Sequence, residues 1–294
     1  MERIYYEFNY PDAAPKSITV LTGIQRIKKK FYITGIYKAP PKEDITFIYK
    51  GDLKGNGVWH VLKYKSLETN LFGPVYLKNH IHVAGTIKTN GRIGVVYNGL
   101  LNGVGDWIKI RPPYKDIIDI VVHSTFGDIV IGNYRTKAEK WYGFICDIKT
   151  NQYYTITHPN TTDVLGYGVV YNHGYILCGS YTIPNTDIEV SYLLDWDNQS
   201  KKFSNWRSYM YNNDPMVSTT RFNGMSVIDD QYYITGFHIK DDKKLGFIAR
   251  VKNNAIQWEN IDYPGSTITA GNSIHGDIIV GIYNETHGFI SILK

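Results

Sequence analysis

The sequence has very little cysteine, no long apolar run and no helical periodicity. Only 2 of its 294 residues are cysteine. Cys146 and Cys178 lie in apolar stretches of neighbouring repeats, so two buried thiols are a simpler interpretation than a disulfide or a metal pair. No apolar run approaches the roughly 18 to 20 residues that a membrane-spanning helix needs. These absences argue against a helical fold, a disulfide-stapled fold and a membrane span.

The known catalytic motifs are also missing. The sequence contains no G-x-S-x-G elbow, P-loop, H-E-x-x-H or C-x-x-C motif. Its nine histidines fall mostly at predicted turns that do not converge on one point, so we predict no metal and no cofactor.

A secretory signal is not apparent at the N-terminus. Glu2, Arg3 and Glu7 interrupt the apolar residues there, and the apolar core of a signal peptide is missing. We therefore expect an intracellular protein. A secreted chain whose signal had been removed would have the same sequence.

The composition is rich in aromatic residues and mildly basic. Aromatic residues make up 14% of the chain, including 25 tyrosines, which suits strands that pack between sheets. The net charge is +5, and its densest basic cluster, residues 26–30, falls at a predicted turn. The aromatics beside that cluster, Phe31 and Tyr32, belong to a predicted strand, so we do not expect nucleic-acid binding.

Six copies of one unit fill the chain. A glycine within an apolar strand recurs at spacings of 50, 47, 47, 57 and 45 residues, obtained by subtracting the numbers of Gly35, Gly85, Gly132, Gly179, Gly236 and Gly281. A second apolar run follows each glycine, as in Gly246-Phe247-Ile248. An upstream strand also carries a glycine in most units, which would let inner strands approach each other closely.

The last unit lacks its fourth strand, and the N-terminus supplies a candidate. Gly265 to Lys294 predicts three strands, whereas Ile4 to Pro11 has the pattern of Trp258 to Pro264, the fourth strand of the preceding unit. We therefore predict an all-β fold, a six-bladed β-propeller in a single domain of residues 1–294, with its last blade closed by the N-terminal strand. The predicted blades are residues 12–65, 66–114, 115–160, 161–215, 216–264, and 265–294 together with 1–11.

Polar residues on the predicted inner strands are the candidate ligand-binding residues at the channel mouth. Asp119 and His123 form the one titratable pair within a unit, and a spacing of four in a strand puts them on one face about 13 Å apart. The full set is Asn70, Asp119, His123, Tyr167, Arg221, Asn223 and Asn272.

The fourth unit has the longest spacing and is a candidate partner-binding region. Its excess lies at Thr182 to Glu189 and at Asn205 to Pro215. The second segment contains Trp206, Arg207 and Tyr209, residue types that are enriched in interface hot spots.

The last two units resemble a known repeat family. Residues 263–267, Gly271-Asn272-Ser273-Ile274, the run from Gly276 to Tyr283 and His287-Gly288-Phe289-Ile290 are similar to the bacterial HAF-type extracellular repeats. The resemblance implies a β-propeller. It implies no catalytic residues, because the matching residues are structural.

These patterns favour a binding role over catalysis. We expect a monomeric, non-enzymatic scaffold that recognises a protein or glycan partner through loops on one propeller face. The alternative is a hydrolase or lyase with a polar site at the mouth of the central channel, which would require Asp119, His123 and Arg221 to share one pocket with shifted pKa values.

Overall fold

The computed structural model describes residues 2–11, 17–38, 44–77, 79–158, 161 and 163–294. Within those ranges the chain forms short β-strands and a single 3₁₀ helix, η1 (Tyr211–Asn213). The strands in chain order are β1 (Arg3–Glu7), β2 (Ile18–Ile27), β3 (Lys30–Lys38), β4 (Ile45–Gly51), β5 (Gly57–Val61), β6 (Thr69–Leu77), β7 (His80–Lys88), β8 (Arg92–Gly99), β9 (Gly105–Ile110), β10 (Ile117–Phe126), β11 (Ile129–Thr136), β12 (Trp141–Asp147), β13 (Gln152–Thr155), β14 (Val164–Tyr171), β15 (Tyr175–Thr182), β16 (Glu189–Asp197), β17 (Lys202–Tyr209), β18 (Val217–Ile228), β19 (Gln231–Lys240), β20 (Lys243–Lys252), β21 (Ala255–Ile261), β22 (Thr269–His275), β23 (Ile278–Tyr283) and β24 (His287–Leu293).

Consecutive strands form antiparallel sheets. Four sheets have four strands each, in the orders β2-β3-β4-β5, β6-β7-β8-β9, β10-β11-β12-β13 and β1-β24-β23-β22. An eight-stranded sheet contains β14 to β17 and β18 to β21. Its two halves meet through a single parallel pairing, Glu189 with Thr219.

The first strand of each repeat lies innermost, and these inner strands contact one another in a closed circuit. The circuit runs from β2 through β6, β10, β14, β18 and β22 and back to β2. Short antiparallel sheets arranged around a common axis in this way form an all-β propeller.

The two chain ends lie in one sheet, as the sequence predicts. Strand β1 pairs with β24 over its whole length, with Ile4 opposite Ile292. The Arg3 side chain is only 4% exposed, and its Nε lies 2.7 Å from Glu259 Oε1 on β21. The N-terminal strand is therefore tied both to the last repeat and to the one before it.

The core lies between neighbouring sheets. Each apolar cluster joins two adjacent repeats; one of them joins Phe8, Val280 and Ile290 from the two chain ends to Leu21 and Tyr49 of the first repeat. The other clusters occupy the remaining interfaces around the circuit. This arrangement explains the many aromatics, because flat rings fill the gap between two facing sheets.

The recurring glycines have two structural reasons. On inner strands, a Cβ on Gly23 would overlap Gly73 of the next inner strand, as the sequence predicts. On second strands the reason is different: a Cβ on Gly236 would overlap the carbonyl oxygen of Arg221 in its own sheet. The same overlap with an inner-strand carbonyl occurs at Gly85, Gly132, Gly179 and Gly281.

We predict that Gly236→Ala destabilises the fold by about 3 kcal/mol, because the new methyl group must displace a backbone carbonyl within a packed sheet. Gly174→Ala is the matched control, since no atom lies within 4 Å of its added Cβ. Denaturant unfolding of both variants checks this. Equal midpoints for the two would contradict the carbonyl-overlap explanation.

We also predict that a variant beginning at residue 12 melts at least about 10 °C lower than the full chain or aggregates, because it loses the β1 ladder. It also loses Phe8, whose ring centroid lies 5.0 Å from that of Tyr49. The exposed edge of β24 would then be free to pair with another chain. Near-equal melting temperatures with a monomeric elution profile would contradict ring closure by β1.

Candidate functional site

Each inner strand has a β-bulge at mid-length, and the bulges determine what faces the channel. On β10 the pairing of Val122 with Gly132 is followed by that of Ser124 with Ile131, so His123 is the extra residue. A bulge re-aims the side chain of its extra residue. The corresponding residues on the other inner strands are Thr22, Gly73, Tyr167, Asn223 and Asn272.

These bulge residues surround a cavity of about 170 Å³ in the channel. The cavity extends from the bulges toward the ends of the inner strands, where Gln25, Val75, Phe126, Val227 and His275 line it. Among the described residues that line it there is no Asp, Glu, Lys or Arg. It is therefore a neutral cavity with polar and apolar walls.

Four of the seven predicted channel residues line this cavity, namely His123, Tyr167, Asn223 and Asn272. Asn223 and Asn272 also hold neighbouring inner strands together. Asn223 Nδ2 donates to the carbonyl oxygen of Gly271, and Asn272 Nδ2 donates to that of Leu21, each at 2.9 Å. Thr22 Oγ1 donates to Leu71 O at 2.8 Å in the same way. The sequence gives no signal for this role, because it depends on the bulge.

Asp119 does not line the cavity, although its spacing in the sequence predicts that it shares one face of the strand with His123. The bulge at His123 breaks the alternation on which that prediction depends. Arg135 Nε donates to Asp119 Oδ2 at 3.0 Å, and the Arg92 backbone N–H donates to Oδ1 at 3.0 Å. Burial alone would raise the pKa of Asp119, but the hydrogen bonds from Arg92 and Arg135 outweigh it and hold the pKa below its usual value.

Arg221 and Asn70 also lie outside the cavity lining. Arg221 makes a bidentate ion pair with Glu189, through Nε at 2.7 Å and a terminal nitrogen at 2.6 Å. The guanidinium carbon of Arg221 lies 5.8 Å from the ring centroid of Tyr167. Asn70 Oδ1 is buried and has no hydrogen-bond partner among the described residues. Of Asp119, His123 and Arg221, only His123 therefore lines the channel cavity.

The His123 ring packs between two other aromatic rings at the cavity wall. The His123 ring centroid lies 5.4 Å from that of Phe72 and 5.0 Å from that of Tyr167. Burial, together with the nearby Arg92 and Arg221 charges, lowers the pKa of His123 to about 3. Burial raises the pKa of Tyr167 to about 12. Both groups are neutral at pH 7, and neither is poised to exchange a proton there.

The three predicted partner-binding residues lie in strand β17 rather than in a loop. Trp206 stacks on Tyr192 with ring centroids 4.3 Å apart, and Tyr209 packs 5.8 Å from Phe222. Arg207 is ion-paired with Asp195. Part of each side chain is therefore engaged within the protein.

Metal and thiol chemistry have no assembled site in the described ranges. No group of three or more His, Cys, Asp and Glu side chains there could hold a metal ion. Cys146 and Cys178 are buried and unpaired, and burial raises the pKa of their thiols to about 11 and 12.

No helix among the described residues is long and apolar enough to cross a membrane.

We predict that acidification from pH 7 to pH 5 destabilises the protein partly through His123. Its folded pKa lies below the unfolded value of 6.5, so below pH 6.5 the unfolded chain takes up the proton and stability falls, by at most about 1.4 kcal/mol per pH unit for this group. His123→Phe should lose correspondingly less stability over this interval. Parallel pH dependences for variant and parent would show that His123 does not titrate on unfolding.

Comparison with known proteins identifies the fold of this chain but does not assign it to a family. No protein-family model matches the sequence. No curated protein matches it either.

Among solved structures, sialidases of Trypanosoma rangeli are similar in fold. One, in complex with 2,3-difluorosialic acid as a covalent intermediate, has a TM-score of 0.60 at 9% identity, covering 97% of this chain and 56% of that chain. A mutant of that sialidase displaying trans-sialidase activity has a TM-score of 0.59 at 10% identity, with the same coverage. A catalytically inactive virginiamycin B lyase from Staphylococcus aureus with quinupristin has a TM-score of 0.47 at 12% identity, covering 100% of both chains. The chain spans just over half the length of the sialidases, and at these identities it shares their propeller fold alone.

Proposed function

We propose that this chain is a six-bladed β-propeller that acts as a non-enzymatic binding scaffold. The count treats the eight-stranded sheet as two blades, because the single pairing of Glu189 with Thr219 is the only strand pairing between β14–β17 and β18–β21 among the described residues. Six apolar interfaces between neighbouring repeats support the same count.

The observation that carries the non-enzymatic role is the neutral channel. No charged side chain lines the cavity among the described residues, and its His123 and Tyr167 are both neutral at pH 7. General acid–base chemistry needs a group whose pKa lies near the working pH. The charges on Asp119 and Arg221, the two charged residues predicted for the channel mouth, are held in ion pairs.

We place the partner surface on the upper face, defined as the end of the propeller at which the inner strands begin. Two recesses lie there, one of about 440 Å³ that includes Arg92 and Arg111 and one of about 350 Å³ that includes Trp141 and Arg221. The Trp141 ring of the second recess lies next to Arg92 of the first, with the guanidinium carbons of Arg92 and Arg135 each 5.6 Å from its centroid. Tryptophan and arginine recur in protein interface hot spots, and tryptophan combines an apolar ring with a polar N–H.

Strand β17 is the second candidate surface. Trp206 and Arg207 are each half-buried, so part of each remains available to a protein or glycan partner. Its position on the outer edge of a sheet separates it from the upper face, and variants can distinguish the two.

A hydrolase or lyase at the channel mouth is the alternative function. Three carboxylates, Glu139, Asp163 and Glu189, line the 350 Å³ recess beside Arg221. Paired carboxylates can divide acid and base roles between them. The sialidase fold shared with this chain is compatible with this alternative.

Lys140 lines the 350 Å³ recess next to Trp141. We predict that a glycan array and affinity capture from the source cell identify a partner of this surface. Lys140→Glu combined with Trp141→Ala should weaken its binding at least about tenfold, the size expected for loss of a hot spot. Trp206→Ala is the matched variant on β17 and should bind normally. Loss of binding only with Trp206→Ala would move the surface to β17. If the protein instead hydrolyses or cleaves a glycan of the array, and Glu189→Gln abolishes this activity, the hydrolase or lyase function would be supported in place of the scaffold.

A further inference from the structure

The channel cavity carries hydrogen-bonding groups that the fold does not use. Ser124, Ser226 and Ser273 line it, and each hydroxyl oxygen accepts one backbone N–H, from Val169, Gly276 and Ile24 respectively. The three hydroxyl hydrogens have no acceptor among the described residues. Because a serine hydroxyl both donates and accepts, each can still donate to a ligand.

Unused acceptors and further donors lie in the same cavity. Asn223 and Asn272 donate hydrogen bonds from their amide nitrogens to neighbouring strands. Their Oδ1 atoms have no hydrogen-bond partner in the described ranges. Gln25 shows the reverse: its Oε1 accepts the Tyr76 N–H at 2.6 Å, and its Nε2 has no described partner. The cavity thus presents donors and acceptors together, and no charge.

Apolar side chains form the rest of the wall. Val75, Val169, Met225, Val227 and Ile274 line the cavity with the polar groups. A ligand that fits must therefore combine hydroxyl-type groups on its rim with a C–H surface. A charged ligand is disfavoured, because no described residue of the lining could compensate its charge.

The volume limits the ligand to about one ring. An engineered protein cavity of about 150 Å³ holds benzene, and this cavity measures about 170 Å³. It therefore has room for one six-membered ring and is smaller than the roughly 300 Å³ of a typical drug-sized site.

From this combination we infer that the channel cavity is a binding site for a neutral polyhydroxylated ring, a monosaccharide or a cyclic polyol. Ring hydroxyls both donate and accept, so they match the mixture of serine hydroxyls and asparagine carbonyls. The ring C–H face matches the valine and methionine wall. The inference does not depend on the upper-face partner surface, whose variants leave this cavity intact.

The test is titration of the full chain with D-glucose, D-galactose and myo-inositol, followed by ligand-observed NMR and thermal unfolding. At least one neutral ring should bind saturably with a dissociation constant on the order of 1 mM, the range expected for about 12 non-hydrogen atoms. D-glucuronate and D-glucosamine should bind at least about tenfold more weakly, because burial leaves their charges uncompensated.

Val75→Phe fills the cavity and should weaken binding of the neutral ring at least about tenfold. Val104→Phe, at a 64% exposed position outside the cavity lining, is the matched control and should bind like the parent. If Val75→Phe does not fold, the comparison of neutral with charged rings on the parent decides. Absence of saturable binding by every neutral ring, equal binding of the charged rings, or full binding by folded Val75→Phe would each overturn the inference.

Discussion

The hydrogen bonds that run from one inner strand to the next are the constraint on which the other features depend. Asn272 to Leu21 O, Thr22 to Leu71 O and Asn223 to Gly271 O all start from a bulge residue and end on the neighbouring inner strand. They require the bulge, since a regular strand would hold these side chains in the alternation of its own sheet. The second-strand glycines leave room for inner-strand carbonyl oxygens, which a Cβ at these positions would overlap.

A second set of hydrogen bonds joins neighbouring repeats at the upper face and explains the tyrosine that recurs after the fourth strand. The tyrosine after the fourth strand donates its backbone N–H to a threonine of the next inner strand, as Tyr64 does to Thr69 and Tyr263 to Thr269. The Tyr263 ring then stacks on Tyr283, at the end of the second strand of that next sheet, with the two centroids 3.7 Å apart. The repeats that contain β18–β21 and β22–β24 are thereby joined both near the axis, through Asn223, and at the edge, through Tyr263.

The sequence predicts the architecture far better than the site. The spacing of the second-strand glycines and the missing fourth strand of the last unit were sufficient to infer a propeller and the pairing of β1 with β24, because both depend on periodicity. The bulges recur once in each unit, but the residue at the bulge differs from unit to unit, so the sequence pattern does not show that Asp119 and Arg221 lie outside the cavity lining. Asn272, at a bulge, lines the cavity. Asp119, four residues before the bulge at His123, instead forms an ion pair with Arg135.

Joining the chain ends in one sheet has a consequence for synthesis. Strand β1 is synthesised before its partner β24, which follows after about 15 to 60 s at ordinary elongation rates for the stretch between them. During that interval Arg3 lacks Glu259 and Phe8 lacks Val280 and Ile290, with which they are buried in the finished protein. Until β24 is made, the nascent chain therefore carries an unpaired, aromatic-rich strand, and closure of the last sheet must wait for β24.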